Sequence, residues 1–148
     1  MEKILLPLLC LFLTFSPALL GAEGGKPKTE KADTELEKSM DGLNKSWRKL
    51  RKQGADPAQN ASSLELLVAI QAAVKNNLQY TPDLARDIPA DKRDKYIAGY
   101  REKMKEVGAA FEQVEAAFKA GNNPAAVELI IKIAALQKEG HKEYKRPE

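Results

Sequence analysis

The sequence predicts an all-α protein, an antiparallel up-down-up-down four-helix bundle. Three observations lead there. Four stretches carry apolar residues in alternating steps of three and four, and none alternates residue by residue as a half-buried strand would. Each stretch is bracketed by helix start and stop residues. All but one of the links between them are short, which makes successive helices antiparallel neighbours.

The bundle is expected over residues 33–148, after two segments of different character. Residues 1–22, MEKILLPLLCLFLTFSPALLGA, read as a secretory signal peptide: a short charged start, an apolar run and a small-residue end, with cleavage expected after Ala22. Pro7 and Pro17 interrupt the run and polar sequence follows at once, which argues against a lasting membrane span. Cys10, the single cysteine, lies inside the run behind the bulky Leu9 and is expected to leave with it. Residues 23–32, EGGKPKTEKA, read as a flexible polar leader. The exported chain then has no disulfide and depends on its core alone, with enough residues for one domain.

The first helix is predicted to start at Thr34, which forms a capping box with Glu37, and to stop at Gly54. Its seam is Leu36, Met40, Leu43, Trp47 and Leu50. The second is predicted from a capping box of Ser62 and Glu65 to Thr81-Pro82, with a seam of Leu64, Leu67, Val68, Gln71, Val74 and Leu78. Asn60-Ala61-Ser62 also matches a glycosylation acceptor, but it overlaps this helix start. The third follows Pro89, has Asp91 as its candidate cap and ends at Gly121. Its seam is Ile97, Tyr100, Met104, Val107, Phe111, Val114 and Phe118. The fourth takes Asn123 as cap, Pro124 at its first helical position and Pro147 as its stop, with a seam of Ile130, Ala134, Gln137, His141 and Tyr144. The long link, residues 81–90, holds two prolines.

The net charge of +3 is mild and spread along the chain, without a basic block. Nucleic acid is therefore not an expected partner, and a monomer is expected. The one histidine, His141, sits on the last turns of the last helix. In the predicted topology the start of helix 1 and the end of helix 4 share one end of the bundle. Met40 lies six residues in from Thr34 and His141 five residues from Arg146, depths of about 9 Å and about 8 Å. Singly, a seam methionine usually fills a core gap, and a histidine near a helix end usually faces solvent or the helix dipole. Level with each other, they are a pair of the types that hold haem iron from two sides. Ala134, Gln137 and Gly140 leave the seam thin there, and Tyr96 and Tyr100 offer aromatic walls for a flat apolar cofactor.

Other chemistries lack their residues. A di-iron bundle needs Glu-x-x-His on two helices, and Lys138 stands three residues before His141. Covalent haem attachment needs Cys-x-x-Cys-His, zinc needs several Cys or His ligands, and one histidine offers no nucleophile–base pairing.

ELEKSMDGLNKSW (35–47) and LQKEGHKEYKR (136–146) resemble the two ends of the soluble periplasmic cytochrome b562 family. TPDLARDIPADKRDKYIAGY (81–100) is similar to that family's Pro-containing link and the aromatic-x-x-Gly-aromatic start of its third helix. The resemblance covers nearly all of residues 33–146. It implies Met40 as the methionine ligand and His141 as the histidine ligand of the iron. It sets Tyr96 and Tyr100 where the family has two phenylalanines near the haem, Gln137 where it often has an arginine, and Gly140 where it has a tyrosine. At those positions the propionate contacts and the cover of the haem edge depart from the family pattern; Lys142, Lys145 and Arg146 remain as candidate partners for propionates. Met40, His141, Tyr96, Tyr100, Leu43 and Gln137 make up the expected cofactor site. The expected function is an exported, periplasmic electron carrier and not an enzyme, holding haem b and its iron non-covalently for an unknown redox partner protein. The alternative is a cofactor-free bundle acting as a binding or structural protein of the envelope.

Overall fold

The computed structural model describes residues 35–146. The expected signal peptide and polar leader, with Thr34 and Pro147, lie outside the described residues. The described residues form four helices: α1 (Glu35–Gln53), α2 (Asn60–Asn77), α3 (Ala90–Lys119) and α4 (Asn123–Tyr144). Short 3-10 turns occupy Pro57–Gln59 and Asp83–Asp87, and there is no strand among the described residues.

Hydrogen bonds at the two ends fix the direction of each helix. At one end, Asn123 at the start of α4 donates from Nδ2 to the Gly54 carbonyl behind α1 (3.0 Å) and to Asn60 Oδ1 at the start of α2 (2.8 Å). At the other end, Asn77 closing α2 meets Met40 near the start of α1 and Tyr100 near the start of α3. Tyr96 there donates to the Glu143 carbonyl at the end of α4 (2.8 Å). The order is therefore up, down, up, down. Helices adjacent in sequence pack most extensively, and the backbones of α1 and α4 approach each other less.

The core is the joint product of the four stripes. Leu50, Leu67, Ile70 and Val114 are fully buried, and Trp47 sets its edge on Phe111 (centroids 5.4 Å apart, planes at 85°). Burying each such side chain stabilises the fold by about 1.5–3 kcal/mol relative to leaving it in water. The predicted seams of α1 and α3 supply this core closely. The α2 seam requires correction. Its buried stripe is Ser63, Leu67, Ile70, Val74 and Asn77, while Val68 is 65 % exposed. Leu64, Leu66, Leu67, Val68 and Ile70 put apolar groups on several faces of α2, so periodicity alone cannot select the buried one. On α4 the buried stripe is Ala126, Ile130, Ile133 and Leu136; of the predicted seam, Ala134, Gln137 and Tyr144 are half-buried and His141 is exposed.

Three helix starts also differ. Asp56 accepts from the Ala58 N–H (3.0 Å) and Pro57 follows it, so the chain turns helical ahead of Ser62. Ser62 and Ser63 then lie within α2, where both hydroxyls accept from Gln53 Nε2 (3.2 and 3.0 Å). Asp91 is not the cap of α3: Pro89 precedes the helix, and Asp91 lies in the first turn, where its charge suits the helix dipole. The cap of α4 is Asn122, whose Oδ1 accepts from the Ala125 N–H (3.1 Å), with Asn123 turned inward. This follows from the preceding turn. Gly121 adopts φ 68°, its N–H bonds the Phe118 carbonyl (3.0 Å), and the Asn122 N–H bonds the Ala117 carbonyl (2.9 Å). That Schellman closure of α3 fixes which asparagine faces the new helix.

Candidate functional site

The end of the bundle that holds the start of α1 and the end of α4 contains a cavity of about 220 Å³. Met40, Leu43, Tyr100, Gln137 and His141 all line it. The antiparallel order brings them together from α1, α3 and α4. Tyr96 does not line the cavity. One turn nearer the start of α3 than Tyr100, it packs on Tyr144 (centroids 5.1 Å) and spends its hydroxyl on the Glu143 carbonyl. Tyr144, read in the sequence only as a seam residue, reaches the cavity instead and sets its ring edge-on to Tyr100 (5.5 Å). Gly99 makes room for it, since a Cβ there would stand 2.8 Å from the Tyr144 hydroxyl.

Most of the remaining wall is apolar. Leu36, Met104, Val107 and Leu136 contribute, of which Leu36, Met104 and Val107 lie on the predicted seams. Lys103 lines the rim with Lys145 and Arg146, whereas Lys142 does not. Lys103 bonds Glu106 (2.9 Å), which with the carboxylates of Glu139 and Glu143 raises its pKa against the lowering effect of partial burial. Arg146 pairs with Asp87 of the α2–α3 link (2.8 Å). Only a three-dimensional packing of α3 on α4 could have pointed to Lys103.

The two candidate ligands differ in setting. The Met40 sulfur accepts a hydrogen bond from Asn77 Nδ2 (3.4 Å). His141 is exposed as a residue, yet desolvation of its ring against the wall, and secondarily the charge of Lys145, hold its pKa below the ordinary value of 6.5. At neutral pH the imidazole therefore keeps a free nitrogen lone pair, the form that binds metal. Burial pushes the Tyr100 hydroxyl up to about 12, so it remains a neutral donor.

Gln137 is the polar centre of the wall. It accepts from Trp47 Nε1 (2.9 Å) and donates from Nε2 to Asn44 Oδ1 (2.8 Å), tying α4 to α1 where their backbones stand apart. A more open and more polar surface hollow shares Asn44, Gln137, His141 and Lys145 with this cavity.

The residues fit a haem. A thioether and a neutral imidazole, the donor pair for a six-coordinate haem iron, reach one largely apolar cavity. At Gly140 a Cβ would meet nothing nearer than Lys103 Cγ at 3.8 Å, which leaves space beside the histidine. Ligand sites commonly enclose about 300–1,000 Å³, and the cavity is smaller than that range. Among the described residues no three His, Cys, Asp or Glu side chains gather as a metal site, and no helix is long and apolar enough to cross a membrane. No curated protein matches the chain. The cytochrome b562 family model matches residues 35–145, which takes in all four helices. The chain belongs to the cytochrome b562 family.

Proposed function

We propose that the protein is an exported b-type cytochrome that carries single electrons, with Met40 and His141 as the two axial ligands of a non-covalent haem b. The observation that carries this reading is the presence of both side chains on one apolar cavity, from helices that run in opposite directions. Family membership supports it independently. Haem supplies, when bound, an iron that changes reversibly by one electron.

The chain's own residues do the rest. Met40 and His141 would together hold the iron, an arrangement suited to electron transfer rather than to oxygen or substrate chemistry. The protein is thus an electron carrier and not an enzyme. A thioether opposite imidazole also favours a higher reduction potential than two histidines. Leu43, Tyr100, Met104 and Tyr144 would pack against the macrocycle. Lys103, Lys145 and Arg146 offer charge to propionates at the rim. Covalent attachment would need thiols one and four positions before the histidine, and Gly140 and Gln137 stand there. The apolar leader of residues 1–22 directs the protein to the periplasm. There its partner is another redox protein, with no role for nucleic acid, and it acts as a monomer.

Haem titration of the purified mature chain tests the reading. The expected result is one haem per chain and sharp visible bands on reduction. A protein that stays colourless after haem is added would leave a cofactor-free envelope bundle as the function.

A further inference from the structure

Asn77 is the last residue of α2 and is fully buried. Its Nδ2 donates to the Met40 sulfur at 3.4 Å, and its backbone carbonyl accepts from the Tyr100 hydroxyl at 3.2 Å. Its Oδ1 has no hydrogen-bond partner, and it is the only such buried side-chain nitrogen or oxygen among the described residues. A buried carboxamide with one end unsatisfied destabilises the fold, and a leucine of similar shape would avoid the loss. What the amide does make is the contact with the sulfur.

We infer that Asn77 is a positioning residue for the Met40 thioether, holding its sulfur for iron and tuning the iron's reduction potential. The inference rests on the ligand assignment proposed above. A methionine side chain has three freely rotating bonds and samples many sulfur positions. A thioether sulfur carries two lone pairs. The Asn77 N–H takes one, which fixes the sulfur's rotation and leaves the other for the cavity. The N–H also sets the positive end of its dipole against the sulfur in a site shielded from water, where such a dipole acts strongly. It weakens donation by the sulfur, and the loss falls most heavily on the more highly charged ferric iron. The potential therefore rises relative to a chain without the bond. The Tyr100 hydroxyl, by holding the Asn77 backbone, ties the same arrangement to α3.

The test compares haem-loaded full-chain parent, Asn77→Leu, Asn77→Ala and Ile70→Val. Ile70 is fully buried on α2 but does not line the cavity, so it reports a loss of packing alone. Three quantities are read: reduction potential, the ferric sulfur-to-iron charge-transfer band, and melting temperature without haem. Both Asn77 variants should show a lower potential and a displaced band. Asn77→Leu should melt no lower than the parent, because the unsatisfied oxygen is gone. Ile70→Val should melt lower with potential and band unmoved. Asn77 variants that keep the parent potential and band overturn the inference, as does an equal shift in Ile70→Val. If the parent takes up haem but Met40→Ala leaves the band in place, the ligand assignment itself is wrong and the inference falls with it. A band lost in Met40→Ala but unmoved in Asn77→Leu removes the role of Asn77 alone.

Discussion

Replacing Gln137 by leucine tests whether the tie between α1 and α4 holds this end of the bundle together. The substitution keeps much of the volume and removes both of the amide's hydrogen bonds, to Trp47 Nε1 at 2.9 Å and Asn44 Oδ1 at 2.8 Å. A lost hydrogen bond costs about 1 kcal/mol, and a buried donor left unpaired costs about 1–3 kcal/mol. Trp47 is 2 % exposed, so its indole N–H falls in the second class, while the half-buried Asn44 amide can turn to water. The haem-free protein should therefore lose about 2–3 kcal/mol, which for a domain of this size lowers Tm by about 8–12 °C. Trp47→Phe removes the same donor from the other side. In a double-mutant cycle followed by chemical denaturation, the two changes should couple by about 1–2 kcal/mol. A cost below about 0.5 kcal/mol with strictly additive variants would refute the reasoning.

Other consequences can be checked separately. Acidified organic solvent should extract the haem completely, since Gly140 and Gln137 cannot bond it; colour that stays with the chain on a denaturing gel would contradict this. The haem-loaded protein should melt above the haem-free form, because an unfolded chain cannot present Met40 and His141 on one iron; equal melting temperatures would break the link between haem and folding. Gly121→Ala should destabilise the bundle by about 1–2 kcal/mol through the left-handed backbone at φ 68°. Gly121 follows α3 at the end remote from the cavity, so the haem spectrum of that variant should match the parent, and an altered spectrum would show the two ends to be coupled.

How far the sequence predicts this molecule depends on how local each cause is. Trp47, Leu50, Met104, Phe111 and Phe118 could be read directly, because α1 and α3 carry their apolar groups on one stripe. Ile70 could not be told from Val68, since α2 is apolar on several faces and only its neighbours choose between them. The start of α4 turned on which of two adjacent asparagines caps it, and the left-handed Gly121 upstream decides for Asn122. Met40 and His141 both border the cavity at one end of the bundle, as helix length and direction alone predict. Tyr144 borders the cavity and Tyr96 does not, because Gly99 admits the Tyr144 ring, and that depends on the packing of α4 on α3. Asn77 gave no signal, since its meeting with Met40 joins residues 37 apart through the ends of two helices.

Axial ligation is tested most directly by the visible and electron paramagnetic resonance spectra of the haem-loaded parent beside Met40→Ala and His141→Ala. The parent should be low-spin and six-coordinate in both oxidation states. His141→Ala should bind haem most weakly, because imidazole holds both states of the iron well. Met40→Ala should retain some haem, turn towards high spin when oxidised and show a lower potential. Parent-like spectra and potential in both variants would contradict the assignment of Met40 and His141 as the ligands.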